Sequence, residues 1–269
     1  MAKNFFTGRT SFLQLMRDDY LIATGTAFFV RKNKNLFLIT ARHNLTGRHW
    51  ETGRCLSERT AALPNRMRIN APIVEQKVPG RFGYKEYTLP LNLDTDPPIA
   101  IWLEAGPKEK PWDIAAVPVH PDWESAFIER WKTQYCLEGD FAIATMSECG
   151  TWEVLVQQQH QVGSSAFVLG FPFGKTGGVE NQPIWRSGSV ATEPSVDWEG
   201  IPAFLVDVSG RQGMSGSPVI IRTDSQHFIL GGVYTGRLLD KGHNSELGYV
   251  WKLSAVDHLL SEGRMSDSI

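Results

Sequence analysis

Cysteine is scarce in this chain, which has three in 269 residues. Their number is odd, they are far apart in sequence, and none has metal-ligand spacing with a histidine; they are Cys55, Cys136 and Cys149. A disulfide framework and a zinc site therefore have little support. We expect free thiols, no metal and no cofactor.

Long apolar runs and net charge are also lacking. No run reaches the length of a membrane span, and residues 1–9 are not followed by an apolar signal core. The formal net charge is −2, and basic residues are scattered among acidic ones. Because nucleic-acid binding needs a basic face, none is expected. These absences predict a cytoplasmic protein that binds neither nucleic acid nor a membrane.

Helical patterns are rare as well. Residues 122–132 carry large apolar side chains at spacings near three and four, namely Trp123, Phe127, Ile128 and Trp131. Residues 254–260 resemble a second, C-terminal helix that ends at Gly263. The remaining apolar segments are typical of β-strands, so the chain is predicted to be all-β with two short helices.

Residues 213–218, Gly-Met-Ser-Gly-Ser-Pro, are the most informative segment. A serine hydroxyl needs a base to take its proton and donors to hold the oxyanion that follows attack. Gly213 has no Cβ, so its backbone can aim its N–H at the same point as that of Ser215. Gly216 lets the chain leave without crowding the hydroxyl. The segment therefore predicts a nucleophilic serine, with a Gly/Ser-rich hairpin of no chemistry as the alternative.

His43 lies just past the end of a predicted buried strand. Residues 25–30 and 36–40 are apolar, β-branched and aromatic, and the polar residues 31–35 between them fit a hairpin turn. Such a scaffold can present a side chain for catalysis. The other histidines are interpreted as structural: His49, His120, His160, His227, His243 and His258.

Asp113 stands at the head of the apolar residues 114–119. Aspartate is costly to bury unless its charge is compensated. A histidine N–H would compensate it, and the carboxylate would in return orient the imidazole. An exposed aspartate at a strand start is the alternative. Asp94 and Asp96 are rivals in the same region, but they lack the strand context.

The order of His43, Asp113 and Ser215 resembles that of the trypsin-like, chymotrypsin-fold serine peptidases. Three boxes carry the resemblance: Thr-Ala-Arg-His at 40–43, Asp-Ile-Ala at 113–115 and the serine segment at 213–218. The likeness runs from about Gly25 to Trp251 and points to a bacterial-type cytosolic member without disulfides. It implies that His43 is the base, that Asp113 orients it, and that the oxyanion hole is formed by the N–H groups of Gly213 and Ser215.

The resemblance implies two six-stranded antiparallel β-barrels with the active site in the cleft between them. We expect an N-terminal segment at 1–20, a first barrel at 21–121, a linker helix at 122–135, a second barrel at 136–253 and a C-terminal helix and tail at 254–269. Within the first segment, residues 11–16 are compatible with a short helix, although a place in the core is favoured.

Substrate-binding residues are also implied by the resemblance. Residues 228–236 look like the strand whose edge pairs with the substrate backbone, and they include Tyr234, Thr235 and Gly236. Ser209 falls at the base of the primary pocket, and Gly236 and Gly248 at its walls.

A neutral floor and small walls predict an apolar or aromatic side chain on the acyl side of the cut bond. Arg211 and Arg237 lie close to the pocket in sequence. They would instead favour an acidic side chain, and the apolar interpretation is placed first.

Met214 is a departure from the digestive members of the family. Those members pair a newly cut N-terminus with an aspartate immediately before the serine, where this chain has methionine. Control of activity is therefore expected to differ. The enzyme is constitutively competent, or it is gated by a regulatory protein partner, an oligomer or the N-terminal segment.

Together these features predict a serine endopeptidase that cuts protein or peptide substrates through an acyl-enzyme intermediate, narrow in specificity or regulated by a partner. The first alternative is a pseudoprotease or peptide-binding module that uses the same cleft without cleavage. An α/β-hydrolase esterase is disfavoured, because its nucleophile precedes the acid and the histidine in sequence, and because strand–helix alternation is missing here.

Overall fold

A computed structural model of the chain describes residues 6–33, 35–56, 61–74, 82–93, 95–96, 98–119, 144–146, 161–178, 181–223, 228–240 and 243–267. The predicted linker helix at 122–135 lies outside the described residues, as do Asp94, Cys136 and Cys149.

The first half of the chain is built on one large sheet. The strands up to residue 146 are β1 (Thr10–Arg17), β2 (Tyr20–Lys32), β3 (Asn35–Thr40), β4 (Arg66–Val74), β5 (Phe82–Pro90), β6 (Asn92–Leu93), β7 (Ile99–Ala100), β8 (Leu103–Glu104), β9 (Ala115–Pro118) and β10 (Ala144–Met146). Strands β6 and β7 pair only with each other in the described part of the chain. The others join a nine-stranded sheet with the C-terminal strand β17 (Arg264–Met265).

The order of this sheet is β17-β8-β9-β3-β2-β1-β4-β5, with β10 parallel to β2. We predicted a six-stranded barrel here. Over the described residues the sheet has more strands than that and its order does not close on itself, because β17, from the far end of the chain, pairs with β8.

Within the N-terminal segment, residues 10–17 form a strand of this sheet and not a helix. Strand β1 lies between β2 and β4 and is antiparallel to both. Leu13 and Leu15 are buried, whereas Phe12 before them and Gln14 between them are only half-buried. This alternation has the period of a strand, with one face turned into the core.

The second half forms a closed barrel of six strands. They are β11 (Ser165–Gly170), β12 (Ile184–Val190), β13 (Ala203–Asp207), β14 (Ser217–Arg222), β15 (Phe228–Asp240) and β16 (His243–Lys252). They close in the order β11-β12-β13-β16-β15-β14. One of the two predicted six-stranded barrels is therefore present.

Helices are few and short in the described part. Helix α1 (Arg42–Thr46) follows β3, and single 3-10 turns cover Thr7–Arg9 and Pro172–Gly174. Helix α2 (Leu253–Glu262) follows β16, which confirms the predicted C-terminal helix.

A shared hydrophobic core joins the two halves. Phe28 and Ile39 of the first sheet pack in one buried cluster with Val233 and Trp251 of the barrel, and α2 adds Leu259 to it. Further buried clusters fill the first sheet and the barrel interior. Because apolar surface from both halves is removed from water together, the cleft between them has rigid walls.

Candidate active site

Strand pairing brings His43 and Asp113 together at the same end of two neighbouring strands, β3 and β9. Strands β3 and β9 are antiparallel, with Thr40 opposite Ala115. The chain therefore leaves β3 for α1 at the same end at which it enters β9. Residues seventy positions apart, such as His43 and Asp113, become neighbours in this way.

The carboxylate of Asp113 accepts two hydrogen bonds from His43. Its Oδ2 lies 2.7 Å from the ring Nδ1, and its Oδ1 accepts the backbone N–H at 3.0 Å. Asp113 is only 1% exposed, so these donors compensate a charge that would be costly to bury alone. Since an ionised carboxylate can only accept, we assign the ring proton to Nδ1. Nε2 is then left without a proton and can act as a base.

Glycine is required on both sides of Ser215. Gly213 and Gly216 have φ angles of 92° and 87°, in the left-handed region that favours glycine. A Cβ on Gly213 would lie 2.4 Å from the carbonyl oxygen of Phe171, and one on Gly216 would lie 2.1 Å from that of Thr26. The turn before β14 therefore cannot form with larger residues at these positions.

The same turn orients two amides. The carbonyl of Gln212, in the same peptide unit as the Gly213 N–H, accepts the N–H of Phe173 at 2.6 Å. The carbonyl of Met214, in the same peptide unit as the Ser215 N–H, accepts the N–H of Ser217 at 3.1 Å. Within the described part of the chain, the N–H groups of Gly213 and Ser215 donate to no protein group. Two unpaired donors beside a serine are what a developing oxyanion requires.

The hydroxyl of Ser215 donates to the carbonyl oxygen of Thr235 at 3.0 Å. The register of β15 and β16 shifts at this position, because Tyr234 faces Val250 whereas Gly236 faces Tyr249. Thr235 is the extra residue of this bulge, and bulges free a backbone group from the ladder and redirect it. No hydrogen bond joins Ser215 Oγ to His43 among the described residues. A rotation about the Ser215 Cα–Cβ bond separates this state from one in which the hydroxyl faces His43.

Asn44 is a site residue that the sequence did not reveal. Its Nδ2 donates to the carbonyl oxygen of Ser215 at 2.9 Å and to Thr40 Oγ1 at 3.0 Å. The side chain is 4% exposed and lies against Gly25. A polar residue directly after a candidate base, at the end of a buried strand, is the signal that could have identified it.

A cleft of about 250 Å³ brings the predicted catalytic residues together. His43, Asp113 and Ser215 line it, as do Thr235 and Gly236. Asp96, the described rival of Asp113, is exposed and does not line this cleft.

Three of the predicted pocket residues differ in their surroundings. Ser209 does not line the cleft, and its hydroxyl accepts a hydrogen bond from Arg211 Nη1. No atom lies within 4 Å of a Cβ built on Gly236, so the space there is open. The space beside Gly248 is taken by the ring of Tyr234, whose Cε2 would lie 2.2 Å from a Cβ built there.

Two tyrosines that line the cleft, Tyr234 and Tyr249, have raised pKa values. Burial raises the pKa of the Tyr234 phenol above its ordinary value, and Arg237, Arg186 and Arg211 partly offset this. Burial also raises the pKa of Tyr249 to about 12. Both rings therefore stay neutral at physiological pH.

The described residues contain no group of three or more His, Cys, Asp or Glu side chains that could hold a metal ion. None of the helices described there combines the length and the apolar character needed to cross a bilayer.

Comparison with known proteins gives the family and the fold of this chain. A family model for the trypsin-like peptidase domain matches residues 25–227. No curated protein matches the chain. Among solved structures, a serine endoprotease from Yersinia pestis has a TM-score of 0.51 at 10% identity, over 97% of this chain and 67% of that one. The active form of a protease from M. tuberculosis has a TM-score of 0.49 at 14% identity, over 98% and 84%. At 10% identity the likeness to the Yersinia pestis protein concerns the fold alone.

Proposed function

Because this chain belongs to the trypsin-like peptidase family, we propose that it is a serine endopeptidase in which Ser215, His43 and Asp113 hydrolyse peptide bonds of protein substrates. The observation that carries this proposal is the buried Asp113–His43 pair, at 2.7 Å, in the same cleft as a serine flanked by unpaired amides.

The first step requires the Ser215 hydroxyl to leave the Thr235 carbonyl and to face His43 Nε2. His43 then removes its proton as Oγ attacks the peptide carbonyl carbon. The tetrahedral oxyanion is held by the N–H groups of Gly213 and Ser215, and each such donor is typically worth about 10²- to 10³-fold in turnover.

Breakdown of the intermediate follows from the same residues. The imidazolium of His43 gives its proton to the leaving amine, which breaks the peptide bond and leaves an acyl group on Ser215. Water then attacks the acyl-enzyme with His43 again as base. Asp113 stays ionised throughout, because it holds the proton on Nδ1 and stabilises the imidazolium.

Control of this enzyme is proposed to act on the serine and not through a new N-terminus. Met214 is fully buried where digestive members of the family have their pairing aspartate, so no charged partner is offered there. The Ser215–Thr235 hydrogen bond supports a resting state that substrate or a regulatory protein partner shifts. A narrow substrate range is proposed for the same reason, and a cytoplasmic location stays a prediction.

The test is labelling with a fluorophosphonate, read by intact mass, on the wild type and on Ser215→Ala. Ser187→Ala, at an exposed serine of β12, is the matched control. We expect one adduct on the wild type and on the control, and none on Ser215→Ala. Folded wild-type protein that takes no label, and that cleaves no peptide, would support the peptide-binding alternative instead.

A further inference from the structure

We propose that this cleft prefers an aspartate or glutamate as the residue whose carbonyl carbon is attacked, with the side chain held by Arg211 and Arg237. The inference rests on the proposed endopeptidase function and names the substrate class of the same site. It reverses the order of the two sequence-based expectations, in which an apolar side chain came first.

The depth of the pocket is limited by Tyr234. Its hydroxyl would lie 1.7 Å from a Cβ built on Gly210, and its ring would meet one built on Gly248. The residue is 1% exposed, so the ring is fully inserted between these two glycines. A long apolar or aromatic substrate side chain therefore has no room between these glycines.

The walls of the cleft carry positive charge. Arg211 and Arg237 both line it together with Ser215 and Gly236. Arg211 Nη1 donates to two neutral groups, Ser209 Oγ and the carbonyl oxygen of Gly210 at 2.9 Å. These bonds fix the position of the guanidinium without neutralising it.

No carboxylate forms a salt bridge with Arg211 or Arg237 within the described residues. Asp113, the acidic group that lines the cleft, is engaged by His43. A third guanidinium, that of Arg186, lowers the pKa of the buried Tyr234 phenol together with these two, and Glu246 raises it. The balance of charge around the pocket is therefore cationic.

A carboxylate is the substrate group that fits these features. Arginine offers several N–H donors in a planar fork that matches a carboxylate, and charge-assisted bonds of this kind are stronger than neutral ones. An apolar side chain would remove the two guanidinium groups from water without giving them a partner, which is unfavourable. The short side chain of aspartate also suits a pocket whose floor is closed.

The experiment uses peptides that share one sequence and a fluorogenic amine leaving group and differ only in the residue before it: Asp, Asn, Glu, Gln, Leu or Lys. We expect kcat/KM for Asp and Glu to exceed that for Asn and Gln by about 10- to 100-fold, as for a hydrogen bond to a charged group. Arg211→Gln and Arg237→Gln should reduce this ratio. The exposed Arg222→Gln of β14 should leave it unchanged.

Fluorophosphonate labelling tests the serine independently of the acid-binding subsite, since the probe carries no acidic side chain. Labelling of the arginine variants, whatever its rate, shows that their fold and their serine are intact. Labelling of the wild type together with a preference for Leu or Lys, or with a ratio that the arginine variants do not change, would overturn the subsite and leave the endopeptidase in place.

If the wild type is neither labelled nor active, the proposed endopeptidase function fails and the subsite is measured by binding. Fluorescence anisotropy with Ser215→Ala compares peptides that end in Asp and in Asn. An affinity at least about tenfold higher for the Asp peptide, lost in the arginine variants, would support an acid-binding cleft. Equal affinities would overturn it.

Discussion

Asn44 Nδ2 donates a hydrogen bond of 2.9 Å to the carbonyl oxygen of Ser215. The same oxygen accepts the N–H of Thr26 at 2.9 Å. The backbone of the serine is thus held by the first half of the chain, while its hydroxyl is held by Thr235 of the barrel. The position of the serine relative to His43 depends on these bonds across the cleft.

Replacing Asn44 should lower the stability of the protein and the reactivity of Ser215. Asn44→Ala removes the bonds to Ser215 and Thr40 in a buried place, so the free energy of unfolding should fall by about 1–3 kcal/mol. Fluorophosphonate labelling should slow as well. Denaturant unfolding and labelling kinetics measure the two effects, with the exposed Asn35→Ala as the control. Wild-type values for both would show that the contact has no role.

A methyl group at Gly25 should also disturb the Asn44–Ser215 contact, because it would press on the side chain of Asn44. A Cβ there would lie 2.5 Å from Asn44 Nδ2, so the amide must move away from Ser215. We expect Gly25→Ala to destabilise the protein by about 1–3 kcal/mol, which is the usual range for overpacking. Gly236→Ala, where the space is open, should cost much less in the same unfolding assay. Equal losses for both would contradict this account.

Asp113→Asn tests the orientation of the base. The amide is nearly isosteric, but it no longer holds the proton on Nδ1 of His43, so Nε2 is not kept free to act. Peptide hydrolysis should fall by about 10⁴-fold in kcat while the thermal midpoint changes little. Asp207→Asn, at an exposed position of β13, is the control. Retained turnover in Asp113→Asn would exclude the proposed role.

Glu104 of β8 links the C-terminal residues Arg264 and Ser266 to Arg42, the residue before His43, and this link should stabilise the fold. This carboxylate is 4% exposed and accepts bonds from Arg42 Nε at 2.8 Å, Arg264 Nη2 at 3.3 Å and Ser266 Oγ at 2.8 Å. Arg42 directly precedes His43.

Glu104→Gln removes the negative charge from its ion pair with the largely buried Arg42. Breaking one side of a buried ion pair typically costs about 3–5 kcal/mol. Thermal and denaturant unfolding measure the loss, and the exposed Glu109→Gln should be neutral. A small effect, comparable with the control, would show that the pair contributes little.

Alkaline pH should destabilise the protein through its buried tyrosines. The pKa of Tyr249 is raised to about 12 by burial, against about 10 in an unfolded chain. Above about pH 10 the unfolded state loses a proton that the folded state keeps, so stability falls as pH rises toward the folded value.

Denaturant midpoints between about pH 9 and about pH 11.5 should therefore decline, and Tyr249→Phe should make the decline shallower. The exposed Tyr20→Phe is the control, since it should leave the slope unchanged. An identical slope in Tyr249→Phe and in the wild type would count against the burial of this phenol.

Much of the candidate site could be predicted because its chemistry is local in sequence. The serine turn depends on Gly213 and Gly216, whose backbone geometry only glycine adopts easily, so the segment is recognisable in isolation. His43 follows a strand and Asp113 precedes one, as their apolar neighbours predicted. The apolar, β-branched and aromatic content of residues 25–30 and 36–40 likewise indicated two strands.

Other features depend on partners that are remote in sequence. The pocket wall at Gly248 was expected to be open, but Tyr234 fills the space, and this depends on how β15 and β16 align. The first half has a nine-stranded sheet where six strands were expected. Two of its strands come from later in the chain, since β17 pairs with β8 and β10 pairs with β2.

The sequence by itself determined the β-rich class, the family and the residue types that can carry out acyl transfer, because turns, strands and short motifs depend on neighbours along the chain. Only the tertiary structure decided that Asn44 holds Ser215, that Thr235 accepts its hydroxyl, and that Arg211 and Arg237 line the same cleft. These relations join residues from different strands and both halves, and their energies come from burial and pairing that exist only after the halves have packed.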